Sequence, residues 1–325
     1  MDWCCCFLAR LICTRGAAGQ VPLTDSVQRI VISGASGLVG RSLLKLLTSR
    51  GHVVLRLVRK QPRSDTEIAW DPERGELEST ALEDVHTVVH LAGANIAERR
   101  WSEARKRVLL ESRERGTRLL CEMLARTRKP PELLIAASAV GYYGDRGDEW
   151  LDEQSEPGQG FLPELCQAWE AATEPARRAG IRVVNLRLGV VLTAQGGALA
   201  RMLTPFRLGV GGVVGNGRQY LSWIALEDII RVIEHLRASS DVVGPLNAVA
   251  PAPVTNRELT RVLARVLHRP AILPVPGFLC RAVFGELGQV LLLEGARVRC
   301  TRLERSGFRF RYRDLESALR AELET

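Results

Sequence analysis

The sequence predicts an α/β fold in which a doubly wound parallel sheet is covered by helices on both faces. Short apolar runs alternate with longer segments of helical periodicity, which is the pattern of buried parallel strands joined by helices. A glycine-rich turn, GASGLVG at 34–40, joins the first apolar run to the first helical segment. The 325 residues are 46% hydrophobic and 25% charged, a composition typical of a globular chain.

The individual elements follow from this alternation. The apolar runs predict strands at 29–33, 53–58, 66–70, 85–91, 133–138, 182–188 and 245–249. The amphipathic segments predict helices at 38–50, 101–127, 160–179, 227–238, 256–267 and 313–323. These elements predict a Rossmann-type domain over 27–250, with the glycine-rich stretch 195–224 as a loop-rich insertion that covers the ligand. The proline-rich sequences APAPV and LPVPG mark a smaller, mostly helical C-terminal portion over 251–325.

Residues 1–26 match no globular element and are predicted to be an extension, disordered or used for targeting. The sequence CCCFLARLIC is too short to span a bilayer and is interrupted by Arg10, so no stable membrane span is expected. The segment is also a poor secretory signal, because Asp2 stands where such a signal carries positive charge. An organelle-targeting segment, a tail palmitoylated at Cys4 to Cys6 and a dispensable extension all stay open.

Cysteine spacing indicates the compartment. Half of the eight cysteines lie in the extension, and the others are far apart, at Cys121, Cys166, Cys280 and Cys300. This predicts buried thiols in a reducing compartment rather than a disulfide framework or a zinc site, and the five histidines also lack ligand spacing. We therefore expect no metal and a cytoplasmic protein, with an organelle matrix as the alternative if the extension is a targeting segment.

The formal net charge is +8, but the basic residues are dispersed. Lysine and arginine stand mostly at helical spacing with glutamate between them, which is typical of a solvated surface. A nucleic-acid-binding protein would carry a basic stripe with aromatic residues, and the sequence has none. A basic cofactor pocket would account for part of the excess.

The glycine-rich turn has the context of a dinucleotide-binding motif, because it follows a strand and opens a helix. Gly34 allows the tight turn, Gly37 lets the backbone approach a pyrophosphate, and Gly40 lets the helix pack on the strand. The free N–H groups at the start of the helix would face the phosphates, and the intervening residues Ser36, Leu38 and Val39 are expected to contact the cofactor. The alternative is a tight turn that binds no ligand.

The end of the second strand favours NADP over NAD. An acidic residue at this place would hold the ribose 2′-hydroxyl of NAD, but the sequence has Arg59 and Lys60, with no acid before Asp65. A guanidinium group matches a phosphate and cannot accept a hydrogen bond from a hydroxyl. The alternative is a pair of solvated cations in a turn.

The sequences VVHLAGANI at 88–96 and LLIAASAVGYYGD at 133–145 extend the pattern beyond the turn. The chain resembles the extended short-chain dehydrogenase/reductases, and within the NAD-dependent epimerase/dehydratase group it is similar to an atypical epimerase-like subfamily, some of whose members are labelled cell-division-inhibitor-like. The resemblance covers about residues 28–322. Its other motifs are ESRERGT, QAWEAA, LRLGVVL, GGALARMLTPFRLGVGG, GNGRQYLSWI and LLLEGARV.

The resemblance implies roles for residues at the ends of the later strands. Those near the cofactor would be Leu91, Ala92 and Gly93 beside the adenine ribose, Arg113 and Thr117 on the following helix, and Arg187, Leu188, Gly189 and Val190 along the nicotinamide. Ser138 matches the catalytic serine, which would hold a substrate carbonyl oxygen. The alternative for Ser138 is a small residue that fills a strand end.

The sequence departs from the family at the usual Tyr-x-x-x-Lys pair. Aligned on Glu170, the tyrosine position falls at Leu162 and the lysine position at Cys166, and neither residue can do that proton chemistry. Tyr142 and Tyr143 are the candidates to replace the proton donor, unless both rings only pack. Cys166 is expected to be a buried thiol rather than a nucleophile.

The substrate side is less defined. Arg218, Gln219, Tyr220 and Trp223 are candidates to meet a polar or anionic substrate, and the alternative is that these groups are satisfied locally. The sequence predicts an NADP(H)-dependent oxidoreductase that acts on a carbonyl or alcohol carbon of an unidentified small molecule. The alternative is a non-catalytic NADP(H) sensor or scaffold. Members of the fold that the chain resembles often pair through helices like those at 101–127 and 160–179, so the resemblance implies a homodimer.

Overall fold

The fold was analysed in a computed structural model that describes residues 27–324. The predictions made for the extension at 1–26 lie outside the described residues. No helix in the described range is long and apolar enough to cross a membrane.

A seven-stranded parallel sheet forms the centre of the fold, in the order β11-β7-β5-β4-β1-β2-β3. Its strands are β1 (Arg29–Ser33), β2 (Val53–Val58), β3 (Glu67–Ala69), β4 (Thr87–His90), β5 (Leu133–Ala139), β7 (Arg182–Leu188) and β11 (Gly244–Ala248). The strand order reverses between β1 and β4, and ligands of such sheets bind at the carboxyl ends of the strands beside that point. The predicted fold class is confirmed.

The parallel register brings polar residues together at those carboxyl ends. Ser33 of β1 pairs with His90 of β4, and Ser138 of β5 pairs with Arg187 of β7. Alternation along each strand sends neighbouring apolar side chains to opposite faces. Ile30 and Ile32 therefore pack in one buried cluster, and Val31 packs in another.

Helices cover both faces of the sheet. The helices are α1 (Leu38–Ser49), α2 (Glu103–Ala125), α3 (Phe161–Ala171), α4 (Glu174–Arg178), α5 (Gly197–Arg207), α6 (Leu226–Ala238), α7 (Asn256–Leu267), α8 (Gly277–Phe284), α9 (Glu286–Gly288), α10 (Thr301–Arg305) and α11 (Leu315–Leu323). Leu43 of α1 and Ile229 of α6 belong to the cluster of Ile30, whereas Leu120 of α2 belongs to that of Val31.

Three short strand pairs lie outside the central sheet. The strands are β6 (Trp150–Leu151), β8 (Val190–Leu192), β9 (Tyr220–Leu221), β10 (Trp223–Ala225), β12 (Val254–Thr255) and β13 (Arg297–Val298), paired as β10 with β8, β12 with β9 and β13 with β6. Two of these pairs, β12 with β9 and β13 with β6, attach the C-terminal part together with one buried carboxylate. Asp228, in the first turn of α6, accepts hydrogen bonds from the backbone N–H groups of Arg311 at 2.8 Å and Tyr312 at 2.9 Å. This carboxylate ties the segment before α11 to the sheet-bound helix α6.

Two predicted segments differ from the structure. The predicted helix at 160–179 is divided into α3 and α4, because Pro175 has no N–H and its ring cannot follow a helical turn. The stretch 195–224, predicted as loop-rich, contains the helix α5, whose Leu199, Leu203 and Phe206 are buried. The glycines of this stretch stand mainly on either side of α5. The high glycine content predicted a loop, although the apolar residues of α5 have helical spacing.

Candidate functional site

The glycine-rich turn is packed too closely to hold side chains at two positions. Gly34 has φ +69°, and a Cβ there would lie 2.8 Å from the carbonyl carbon of Leu91. A Cβ at Gly40 would lie 2.3 Å from the carbonyl oxygen of Gly34. The turn thus joins β1, the end of β4 and the start of α1 through direct backbone contact, which requires glycine.

The N-terminus of α1 offers free donors to an anion. Its N-cap is Gly37, so no side chain caps the helix, and its first turn holds no acidic residue. The first N–H groups of an α-helix lack partners within the helix and carry the positive end of its dipole. This helix start therefore has the features of a phosphate-binding site.

A neutral polar network lies below the turn. The Ser33 hydroxyl accepts hydrogen bonds from the backbone N–H groups of Leu91 at 3.1 Å and Ala92 at 3.2 Å. The Ser33 hydroxyl therefore donates its own hydrogen bond to Nδ1 of His90 at 2.6 Å. With Nδ1 as the acceptor, Nε2 of His90 carries the ring proton and donates to the Thr117 hydroxyl at 3.0 Å. Burial lowers the pKa of His90 to about 4, which keeps the ring neutral.

Arg59 and Lys60 follow β2 and are exposed, in the position that the sequence predicted. Neither side chain forms an ion pair with any residue in 27–324. Two positive charges are therefore free at the end of the second strand.

Arg113 of α2 is a buried cation whose guanidinium lies against the segment after β4. Its guanidinium donates to the carbonyl oxygens of Leu109 and Ala94, both at 3.1 Å, and lies 4.9 Å from the ring centroid of Trp169. Its Nε is buried without a partner, and no carboxylate within the described range pairs with it. Burial lowers the pKa of Arg113 to about 10, as expected for a desolvated cation without a counter-ion.

An ion pair joins the ends of β5 and β7 to α3. Arg187 donates to both carboxylate oxygens of Glu170, through Nε at 2.8 Å and Nη2 at 2.9 Å. Ser138 donates its hydroxyl proton to Glu170 Oε1 at 2.7 Å. Burial alone lowers the pKa of Arg187, but the bonds and charge of Glu170 and Tyr143 outweigh it and raise the pKa above its usual value. The sequence analysis used Glu170 only to align the family motif and did not predict its pairing with Arg187.

The two candidate tyrosines have different surroundings. The Tyr143 hydroxyl is buried, donates to Asn247 Oδ1 at 2.7 Å and accepts from Arg187 Nη1 at 3.0 Å. Burial raises the pKa of Tyr143 to about 12. Tyr142 is half-buried, and the guanidinium of Arg187 lies 3.5 Å from its ring centroid. Its hydroxyl has no hydrogen-bond partner among residues 27–324.

The residues at the tyrosine and lysine positions of the family motif face the same turn. A Cβ at Gly141 would lie 3.3 Å from Cδ1 of Leu162 and 3.9 Å from Sγ of Cys166. Cys166 is a buried free thiol, as predicted, and burial raises its pKa to about 12. It therefore stays protonated near neutral pH and is no nucleophile.

The other predicted site residues lie along the strand ends or in the loops beyond them. Leu188 and Val190 are half-buried, and Gly189 packs so closely that a Cβ would lie 2.7 Å from the carbonyl oxygen of Ser222. Gln219 donates to the carbonyl oxygens of Val214 and Leu292, and the Trp223 indole donates to that of Ala252. Local satisfaction is thus favoured for Gln219 and Trp223. The Tyr220 ring lies under the guanidinium of Arg297, and Arg218 is exposed.

This combination of sheet order, glycine turn and uncapped helix defines a Rossmann-type nucleotide-binding protein. A family model described as the NAD dependent epimerase/dehydratase family matches residues 30–248, and a domain of unknown function, DUF1731, matches 275–322. The chain belongs to the NAD-dependent epimerase/dehydratase family.

Similar proteins extend over nearly the whole chain. Epimerase family protein Mb2239 of Mycobacterium bovis is 46% identical over 290 residues, which are 89% of this chain and 96% of the relative. Epimerase family protein SDR39U1 of Bos taurus is 39% identical over 298 residues, 90% of this chain and 98% of the relative. A crystal structure of human SDR39U1 with NADPH matches with a TM-score of 0.85 at 35% identity, and covers 91% of this chain and 99% of that one.

We expect the Arg187–Glu170 pair to carry a large share of the local stability. Glu170→Ala should lower the free energy of unfolding by about 3–5 kcal/mol, because it leaves a buried guanidinium unpaired. Denaturant unfolding followed by tryptophan fluorescence measures this. Glu174→Ala is the control: its pairs with Arg177 and Arg178 are exposed, so the loss should stay below about 1 kcal/mol. Equal losses in both variants would contradict the assignment.

The lowered pKa of His90 predicts a loss of stability in acid. From pH 6.5 down to about 4 the unfolded chain binds a proton at His90 that the folded chain does not, so the stability present above pH 6.5 falls by up to roughly 3 kcal/mol. Unfolding free energies measured over this range should show a shallower slope in His90→Gln. His268→Asn, which replaces an exposed histidine, should keep the wild-type slope. An unchanged slope in His90→Gln would refute the neutral buried ring.

Proposed function

We propose that this protein is an NADP(H)-dependent oxidoreductase that transfers hydride between the nicotinamide and a carbonyl or alcohol carbon of a small molecule. The observation that carries the proposal is the glycine turn that opens onto the uncapped N-terminus of α1, with Arg59 and Lys60 free at the end of β2. The solved human relative with NADPH supports the choice of cofactor.

The described residues fit this cofactor at separate points. The first N–H groups of α1 would hold the pyrophosphate, since neither a side-chain cap nor an acidic residue competes there. Arg59 and Lys60 would hold the 2′-phosphate. The bound cofactor supplies the hydride, and the protein binds it, orients it and handles the proton.

Arg113 would supply the positive charge that the lysine of the Tyr-x-x-x-Lys pair supplies in the family, since Cys166 stands at that lysine's position here. It contacts the segment after β4, where a Cβ at Gly93 would lie 3.3 Å from its Cζ, and its buried Nε has no hydrogen-bond partner. An anionic cofactor bound near it would compensate a buried charge that has no counter-ion among the described residues.

Tyr142 is the better candidate for the proton donor. Its hydroxyl is free to bond a substrate oxygen, whereas that of Tyr143 is already engaged by Asn247 and Arg187. The guanidinium of Arg187 over the Tyr142 ring would stabilise negative charge as the proton leaves. Ser138 donates to Glu170, so it can hold a carbonyl oxygen only if that bond breaks.

The alternative function is that of a non-catalytic NADP(H) sensor or scaffold. Leu162 and Cys166 support it, because the residues that usually carry the proton are replaced while the nucleotide turn is kept. For either function we also propose a cytoplasmic location and a homodimer formed through α2 and α3.

The choice of cofactor is tested by charge reversal at Arg59. Arg59→Asp should raise the Kd for NADPH by about 10- to 100-fold and leave that for NADH within about twofold, because only NADPH carries the 2′-phosphate. Nicotinamide fluorescence measures both. Lys45→Asp makes the same change of charge at an exposed position of α1 and should leave both constants unchanged. Equal losses for both cofactors in Arg59→Asp would contradict the proposal.

The catalytic part is tested by removing one hydroxyl at a time. Tyr142→Phe should lower turnover by about 100-fold or more with unchanged NADPH binding, because it removes the proton donor. Tyr143→Phe, the matched control, should lower stability while it keeps most of the turnover. The reverse ranking would assign the role to Tyr143. Binding without any turnover in the wild type would favour the sensor.

A further inference from the structure

One apolar surface surrounds the carboxyl ends of β4, β5 and β7. We call it the apolar cluster; its buried base consists of Trp101, Leu109, Ala137, Leu165, Cys166, Trp169 and Leu287. Half-buried apolar side chains pack on this base, among them Leu91, Ala94, Ala139, Tyr142, Leu162, Leu188, Val290 and Leu291. These half-buried side chains lie where ligands of a parallel sheet bind.

Helix α3 contributes apolar side chains to the part of this cluster that lies beside Tyr142, the proposed proton donor. Leu162 and Cys166 both face the turn that carries Tyr142, as their distances from Gly141 show. A leucine and a protonated thiol offer little to the hydroxyl groups of a polar substrate. A substrate hydroxyl buried here would exchange water for apolar neighbours, which costs free energy unless another partner is present.

The C-terminal part closes the cluster from the other side. Val290 and Leu291 belong to a π-helical turn, Gln289–Leu293. Such turns are rare in proteins, and those that occur are often found at functional sites. Two contacts hold the turn and the helix α9 just before it: Lys106 of α2 pairs with Glu286 of α9 at 2.6 Å, and Gln219 donates to the carbonyl oxygen of Leu292 at 2.7 Å. The predicted substrate residue Gln219 thus positions the turn.

The charged groups beside the cluster are already engaged. Glu170 is paired with Arg187, and Glu286 is paired with Lys106. Arg113 lies on Trp169 and, in the proposed function, faces the cofactor. Two polar groups within the cluster lack a hydrogen-bond partner in the part of the chain that the structure describes: the half-buried Tyr142 hydroxyl and the fully buried Nε1 of Trp169.

We infer that the substrate is an apolar carbonyl compound, an aliphatic or aromatic ketone or aldehyde, and not a nucleotide sugar. This inference rests on the proposed function. The hydrocarbon part packs on Leu162, Leu188, Val290 and Leu291, and the carbonyl oxygen bonds the Tyr142 hydroxyl. A hydride from NADPH would form the new C–H bond, and the carbonyl π electron pair would take the proton of the Tyr142 hydroxyl. Solvent would then reprotonate Tyr142. The products would be an alcohol and NADP⁺.

The test measures binding separately from turnover. Saturation-transfer NMR on the full chain with NADP⁺ should show binding of 2-decanone and 1-phenyl-1,2-propanedione and none of UDP-glucose. With NADPH, the same two ketones should be reduced, as followed by the loss of NADPH absorbance. Leu291→Ser should weaken binding of both ketones by about tenfold or more, because it places a hydroxyl in the apolar cluster.

Leu292→Ser is the matched control, since Leu292 is the next residue and is exposed. It should change ketone binding less than twofold. If wild-type protein binds NADPH but neither ketone, or binds UDP-glucose instead, the substrate class is overturned and the proposed function stands. Equal effects of the two serine variants also overturn it. If the wild type fails to bind NADPH, the proposed function itself is refuted, and this inference with it.

Discussion

The buried ion pair between Arg187 and Glu170 organises the candidate site. It joins the end of β7 to α3, and both groups are largely out of solvent. The other polar groups take their places from this pair: Ser138 bonds the carboxylate, Tyr143 bonds the guanidinium, and Tyr142 lies under it. Each charge is tolerated in the interior only because the other is present. The site is therefore a single unit rather than a set of independent residues.

The two halves of the site differ in chemistry. The half beside β1 and β2 has backbone donors at the start of α1 and free cations, and a neutral network at Ser33 and His90 supports it from below. The half beside β5 and β7 is apolar, with its charges paired internally. An anionic cofactor and an apolar substrate would each meet surroundings that match them.

The sequence predicted the elements whose signal is local. Periodicity and the glycine turn located the strands of the sheet and α1, α2, α6, α7 and α11. It missed α5, because glycines surround its apolar positions, and α8, because much of its apolar surface is exposed.

Side-chain partners from distant segments could not be predicted. Asn247 bonds Tyr143 across 104 positions of sequence, and Glu170 reaches Ser138 across 32. Residue type alone did not distinguish Tyr142 from Tyr143; burial and the hydrogen bonds of the Tyr143 hydroxyl to Asn247 and Arg187 separate them.

A crystal structure of the protein with NADPH would test the central claim most directly. We expect the pyrophosphate against the N–H groups that follow Gly37, and the 2′-phosphate within hydrogen-bond distance of Arg59 or Lys60. Arg113 should face the cofactor, with the Arg187–Glu170 pair intact. A cofactor bound elsewhere, or a 2′-phosphate that faces solvent away from both cations, would contradict the assignment of this site.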